Sequence, residues 1–329
     1  MTNDARISTT RVPHQPGSSL GSGLDAIADS HGVFSIIAMD QRNTLRRMFA
    51  AVGRTAEPAA MRAAKVDVAR ALTPTASAIL LDPDFGVPAV HEAAALAPTC
   101  GLLVAAEPPD RATWNGEPRA TRDPALDAAW VRDQGGHAVK FLVQLRPGRP
   151  RTEGGPDLEA ELLDVVRQVV EDCRAQGVPS VIENLVYPLP GEPPMSAGQR
   201  EDLIVEAARM LTETGPDLLK LEYPGSPAGA RRVADVVRGP WAVLSAGVPF
   251  DQFEEALRIS CDDGGASGFI AGRSVWKEAI GLDGPARHEF LETVARPRLE
   301  TLVASVDGRA RPWRQATAGA TTNVTGAPR

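Results

Sequence analysis

The chain has 329 residues, 43% hydrophobic and 23% charged, with a formal net charge of −7. That composition supplies a sizeable core, and the length admits two small domains or one large α/β barrel. The acidic balance and the lack of a basic block argue against a nucleic-acid partner; Arg46-Arg47 and Arg231-Arg232 read as solvated helix faces.

Residues 1–20 are polar and contain Gly, Ser and Pro, which predicts a disordered N-terminal tail. Eight short apolar runs then follow in order: "FSIIAMD", "SAILLD", "GLLVAAE", "AVKFLVQL", "SVIEN", "DLLKLEY", "WAVLSAG" and "SGFIAGR". Most are continuous rather than alternating, as expected of strands buried on both faces of a parallel sheet. The segments between them are helix-sized. The clearest, residues 157–177, carries Leu158, Leu162, Val165, Val166, Val169 and Val170 on one stripe and stops at a glycine. Eight strands alternating with helices predict a single-domain (β/α)8 TIM barrel over residues 21–313. An open doubly wound sheet is the competing fold, but "AMDQRNTL" after the first strand is no dinucleotide fingerprint. From residue 314 the sequence turns Ala/Thr/Gly-rich, which predicts a second disordered tail over 314–329.

Barrel chemistry belongs at the C-terminal ends of the strands. The candidate inward groups there are Asp40, Asp82, Glu107, Lys140, Glu183, Lys220, Ser245 and Arg273. Lysine is scarce: Lys65, Lys140, Lys220 and Lys277 are the four in the chain. Lys220 sits between Leu219 and Leu221, and Lys140 between Val139 and Phe141. Burial disfavours a charged ammonium, and a second cation nearby disfavours it further. On this reading Lys140 keeps Lys220 a neutral amine, the species that attacks a carbonyl to form a Schiff base. The plain structural reading, each lysine paired with a carboxylate such as Glu183, is compatible with that role.

"LSAGV" and "AGRSVW" place Ser245, Gly247, Gly272 and Arg273 after strands seven and eight, where barrels recurrently bind phosphate. None of His14, His31, His91, His137 and His288 has paired ligand spacing or a strand-end position, so no metal site is predicted. No G-x-S-x-G elbow is present either. Three cysteines, odd in number and far apart, fit a reduced, cytoplasmic setting. No apolar stretch approaches the ~20 residues of a membrane span, and no signal-peptide core precedes the first strand. A phosphosugar isomerase with a carboxylate or histidine base, and a non-catalytic sugar-phosphate sensor on the same scaffold, remain as rival functions.

On "AMDQRNTLRRMFAAVG", "ASAILLDPDFG", "GGHAVKFLVQL", "SVIENLVYP", "DLLKLEYP", "WAVLSAGV" and "GASGFIAGRSVW", the sequence resembles class I aldolases of the tagatose-1,6-bisphosphate aldolase family. Within it, "MFAAVG" and "LEYP" are most similar to the sulfofructosephosphate aldolases, while "LLDPDFG" leans toward the tagatose branch. The resemblance implies that Lys220 forms the imine, with Asp40, Lys140 and Glu183 as catalytic neighbours. It also implies that Ser245, Gly247, Gly272 and Arg273 hold the phosphate of the dihydroxyacetone phosphate half, with Gln41 and Arg42 contacting substrate. Asn184 departs from the sulfosugar branch, which has proline after the glutamate. The implied substrate is a phosphorylated ketose, 6-deoxy-6-sulfofructose 1-phosphate or tagatose or fructose 1,6-bisphosphate. The implied protein is a homo-oligomer that requires no cofactor.

Overall fold

A computed structural model describes residues 20–322. Its framework is eight parallel strands: β1 (Phe34–Met39), β2 (Ala78–Leu81), β3 (Gly101–Ala105), β4 (Ala138–Val143), β5 (Ser180–Asn184), β6 (Leu218–Glu222), β7 (Trp241–Leu244) and β8 (Gly268–Ala271). They close into a barrel in the ring order β1-β8-β7-β6-β5-β4-β3-β2. The TIM barrel expected from the apolar runs is therefore the fold.

Both strand faces are apolar because both are covered. Ile37, Met39, Leu81, Val104, Phe141 and Val243 pack outward with the helices. Phe34, Ile36, Ala38, Ala78, Leu103, Ala105, Ala138, Val181 and Leu218 fill the interior. Side chains alternate along a strand, so each inward column can be followed upward by steps of two. The column Phe34, Ile36, Ala38 leads to Asp40; Leu103 and Ala105 lead to Glu107. Ala138, Val181 and Leu218 lead to Lys140, Glu183 and Lys220 in the same way. The packed interior thus ends in a charged layer at the C-terminal mouth.

The helices follow their expected signals. Helix α1 (Asn43–Ala51) and α2 (Pro58–Leu72) follow β1, and α3 (Gly86–Glu92) follows β2. Helix α4 (Ala128–Asp133) precedes β4, and α5 (Leu158–Gln176) follows it. Asp157 caps α5 by accepting from Ala160 N, and Gly177 ends it in the left-handed region at φ 66°. Helices α6 (Ala197–Thr212), α7 (Pro227–Val236) and α8 (Phe250–Asp262) complete the connections to β8. Among the described residues no helix is long and apolar enough to cross a membrane.

Two features depart from the expectation. A two-stranded antiparallel hairpin, Ala112–Trp114 paired with Glu117–Arg119, is inserted after β3. Asn115 and Gly116 turn it with φ of 49° and 82°, the conformation an Asn-Gly hairpin loop adopts. Glu117 anchors it: its carboxylate accepts from Arg149 beyond β4 and from the Tyr187 hydroxyl beyond β5. The second departure is the C-terminus, expected as a tail from 314 but helical over Trp313–Thr322. Its docking explains this. Trp313 N donates to Gly32 O (2.9 Å), Trp313 Nε1 donates to Asp25 Oδ1 (3.1 Å), and Arg314 pairs with Asp25 Oδ2 (2.5 Å). Residues 1–19 of the expected N-terminal tail and 323–329 of the C-terminal one lie outside the described residues.

Candidate active site

The charged layer at the mouth is one connected cluster. Lys140 is 1% exposed, and its ammonium has three N–H donors. The ammonium is ion-paired with three carboxylates: Asp40 Oδ2 at 2.8 Å, Glu107 Oε1 at 2.7 Å and Glu183 Oε2 at 2.9 Å. Lys220, 4% exposed, lies 3.0 Å from the same Glu183 Oε2 and from no other carboxylate within ion-pair distance among the described residues. One oxygen of Glu183 therefore bridges the two lysines. Neighbouring strand registers produce this: Glu183 on β5 is the partner of Lys220 on β6, and Leu142, two residues past Lys140 on β4, is the partner of Glu183.

Electrostatics fix the protonation of most of this cluster. Burial opposes ionisation of Asp40, but Lys140 foremost, then Lys220 and Lys65, outweigh it and hold the carboxyl well below its ordinary range. Glu183 is lowered by the same balance: burial raises it, Lys140 and Lys220 lower it further. Burial also disfavours the Lys140 ammonium, yet Asp40, Glu107 and Glu183 keep it charged well above the ordinary lysine value. Lys140 was expected to act on Lys220 as a nearby cation. Its observed partners make it the hub that orients three carboxylates, one of which touches Lys220.

A cavity of about 440 Å³ opens over this cluster. Asp40, Gln41, Arg42, Lys140, Glu183, Lys220 and Arg273 all line it. Gln41 Nε2 donates to Asp40 Oδ1 at 3.2 Å, while Gln41 Oε1 is buried with no hydrogen-bond partner, an acceptor beside the cluster. Arg42 is tied down: Nη1 pairs with Asp84 Oδ2 at 3.2 Å and Nη2 donates to Glu107 O at 2.7 Å. It clamps the end of β1 to the end of β3 and still borders the cavity.

The β7 and β8 ends come together as expected. Gly247 has φ 84°, and a Cβ there would lie 3.1 Å from the Arg273 guanidinium carbon. Glycine thus lets Arg273 lie across the turn, where its Nη2 donates to Ala246 O at 2.9 Å. A Cβ on Gly272 would lie 2.6 Å from Ala38 O, so the close approach of the β8 end to β1 also requires glycine. Ser245 Oγ accepts from Gly272 N at 3.3 Å. Of this group Arg273 borders the cavity, whereas Ser245, Gly247 and Gly272 form the turn behind it.

Two further residues support the site. Glu107 was visible only as the charged end of its run. Lys65 is wholly buried, 2.6 Å from Asp82 Oδ1, and donates to Met39 O (2.6 Å) and Gln41 O (3.0 Å), fixing the backbone on either side of Asp40. Its place within the apolar face of α2 gave no sign of that reach. Cysteine is not a rival nucleophile here: burial pushes the Cys173 and Cys261 thiols up to about 12.

Comparison with known proteins agrees with this geometry. Residues 34–278 match the family model described as DeoC/LacD family aldolase. Tagatose 1,6-diphosphate aldolase 2 of Streptococcus agalactiae serotype III (strain NEM316) is 28% identical, covering 89% of this chain and 96% of the relative. The tagatose 1,6-diphosphate aldolase of Lactococcus lactis subsp. lactis is also 28% identical, over 88% and 96%. Two solved structures share the fold. A Plasmodium falciparum fructose-bisphosphate aldolase has a TM-score of 0.65 at 12% identity, over 90% of this chain and 99% of that one. An archaeal fructose-1,6-bisphosphate aldolase, solved with its catalytic lysine bound to a carbinolamine intermediate, scores 0.56 at 17% identity, over 84% and 96%. With the family model spanning the barrel from β1 to beyond β8 and full-length relatives that are aldolases, the chain belongs to the DeoC/LacD aldolase family.

Proposed function

We propose that the protein is a class I aldolase, acting through a Schiff base on Lys220 and without a metal ion. Its substrate is a ketohexose 1-phosphate with a second anion at C6. One observation carries this reading. Of the two buried lysines lining the cavity, Lys140 is ion-paired with three carboxylates and donates hydrogen bonds to two of them, whereas Lys220 has one ion-pair partner.

The cycle follows from the contacts. Lys220 passes a proton to Glu183, 3.0 Å away, and the resulting amine adds to the C2 carbonyl of the ketose. The carbinolamine oxygen, protonated through Glu183, leaves as water and the lysine nitrogen becomes an iminium. Asp40, held ionised by Lys140, takes the C4 hydroxyl proton. The C3–C4 electron pair then moves toward the iminium, and the C4–C6 half leaves as an aldehyde. The enamine is reprotonated at C3 from Asp40, and hydrolysis with Glu183 frees dihydroxyacetone phosphate. Arg273 and the Ser245–Gly247 and Gly272 turns fix the C1 phosphate, which presents C2 to Lys220.

The C6 group is a sulfonate in the sulfofructose 1-phosphate reading, which rests on the "MFAAVG" and "LEYP" resemblance. The relatives named tagatose 1,6-diphosphate aldolases favour a phosphate there instead. Cleavage rates for 6-deoxy-6-sulfofructose 1-phosphate, tagatose 1,6-bisphosphate and fructose 1,6-bisphosphate, measured side by side, decide between them.

Borohydride reduction in the presence of dihydroxyacetone phosphate tests the lysine. The expected product is a stable adduct on the peptide containing Lys220, lost in Lys220→Ala. Active protein that gives no adduct, or an adduct that persists in Lys220→Ala, defeats the assignment. A sugar-phosphate sensor would bind substrate with no turnover.

A further inference from the structure

We propose that Arg111 and Arg47 form the subsite for the distal anion of the substrate, an inference that rests on the aldolase reading above. The ring order places this subsite. From β7 it takes four steps to reach β3 in either direction, so these strands face each other across the barrel. The proximal anion turns lie at the ends of β7 and β8. Arg111 follows β3, at the base of the inserted hairpin. Between them, along one side of the ring, stand Lys220 on β6, Glu183 on β5 and Lys140 on β4. A ketose held by its C1 phosphate with C2 at Lys220 therefore runs past the catalytic carboxylates toward the β3 loop.

Charge selects the residues. Four arginines line the cavity: Arg42, Arg47, Arg111 and Arg273. Arg42 is already ion-paired with Asp84. Arg47, Arg111 and Arg273 have no carboxylate within ion-pair distance among the described residues, although the chain carries a net charge of −7. Their side-chain hydrogen bonds go to neutral groups. Arg47 Nη2 donates to Thr44 Oγ1 at 2.9 Å, and Arg111 Nη1 donates to Gln144 Oε1. Asp110 also borders this part of the cavity, but its Oδ1 accepts from Asn43 Nδ2 at 2.9 Å. Arg46, which the sequence offers equally, lies 5.4 Å over the Phe85 ring, is absent from the cavity wall and donates to Asn43 Oδ1. Arg273 serves the proximal anion, which leaves Arg47 and Arg111 for the far one. Two guanidinium forks suit a tetrahedral oxyanion, whether phosphate or sulfonate.

The test compares a ketose 1,6-bisphosphate with the matching ketose 1-phosphate, whose C6 hydroxyl is neutral. In Arg111→Ala and Arg47→Ala the ratio of the two kcat/KM values is expected to fall by about 10–100-fold, toward the 1-phosphate. Arg111→Lys should recover part of it. Adduct formation with dihydroxyacetone phosphate, which lacks a distal anion, reports that each variant still folds and engages Lys220. An unchanged ratio in both variants, or an equal loss on both substrates, overturns the subsite. Wild-type protein that forms no adduct overturns the aldolase reading and the subsite with it. Normal wild-type trapping with an unchanged ratio overturns the subsite alone.

Discussion

Two buried lysine sites lie within one molecule and do different work. Lys65 and Asp82 are both wholly buried; Lys65 donates to the carbonyls of Met39 and Gln41 and is ion-paired with Asp82. Lys140 is ion-paired with three carboxylates that line a cavity. Lys220 shares that cavity and has one ion-pair partner. Burial is common to all three, so burial alone does not distinguish the lysine proposed to react. Having a single ion-pair partner beside a cavity is what sets Lys220 apart.

The largest effect is expected at Lys140. Lys140→Met leaves three buried carboxylates around an apolar side chain. Removing one partner of a buried pair costs about 3–5 kcal/mol, and this variant is expected at or above the top of that range. Its folded fraction should also lose about 10²–10⁴ in kcat, because Asp40 and Glu183 lose the group that orients and ionises them. Urea unfolding and steady-state kinetics read the two effects.

Lys65→Met comes next. It strands one carboxylate and two carbonyls, so its loss should sit near the low end of the same ~3–5 kcal/mol range. Since Lys65 does not line the cavity, its folded fraction should keep more activity than that of Lys140→Met and still trap dihydroxyacetone phosphate on Lys220. A Lys65→Met protein that is stable but cannot trap would place Lys65 in the chemistry.

The smallest effect is a pH dependence. Asp40 and Glu183 have folded values below their ordinary 3.8 and 4.5. A carboxylate shifted down stabilises the fold fully above its unfolded value, and that contribution is lost as pH falls through the folded one. Stability should thus decline once the pH drops below these ordinary values, and less steeply in Asp40→Asn than in wild type. Lys140 has the opposite sign. Raised above 10.5, it contributes fully below that pH and loses its contribution only as pH rises through the higher folded value. Unfolding midpoints measured across pH in both variants and wild type separate the two limbs.

The barrel was legible because its strands are buried on both faces, which leaves continuous runs such as "FSIIAMD" and "AVKFLVQL" that no exposed element would carry. The charged column was legible for a related reason: a charged residue one step of two beyond inward apolar positions has nowhere to point but the mouth. What was hidden depends on contacts between segments far apart in sequence. The partners of Lys65 are 17 to 26 residues away and on other elements, and α2's periodicity gives no hint of them. The hairpin was signalled by Asn115-Gly116, but its strands are three residues each, too short to form a periodic pattern. The terminal helix is Ala/Thr/Gly-rich and its order comes from docking Trp313 and Arg314 onto Asp25, which composition does not reveal. Arg47 and Arg111 stand out only once ion pairing has accounted for most of their many siblings.

That docking has a topological consequence. Asp25, just ahead of β1, and Trp313 and Arg314, beyond the last barrel strand, are bonded to each other at the end of the barrel opposite the mouth. The order in which the β/α units are strung together is therefore separable from where they sit. A circular permutant joining residues 20 and 322 through a linker, and opened instead at an exposed helix–strand turn on that same far side, would keep every strand neighbour. The mouth, with its lysines and arginines, would be assembled from the same eight pieces read from a different starting point.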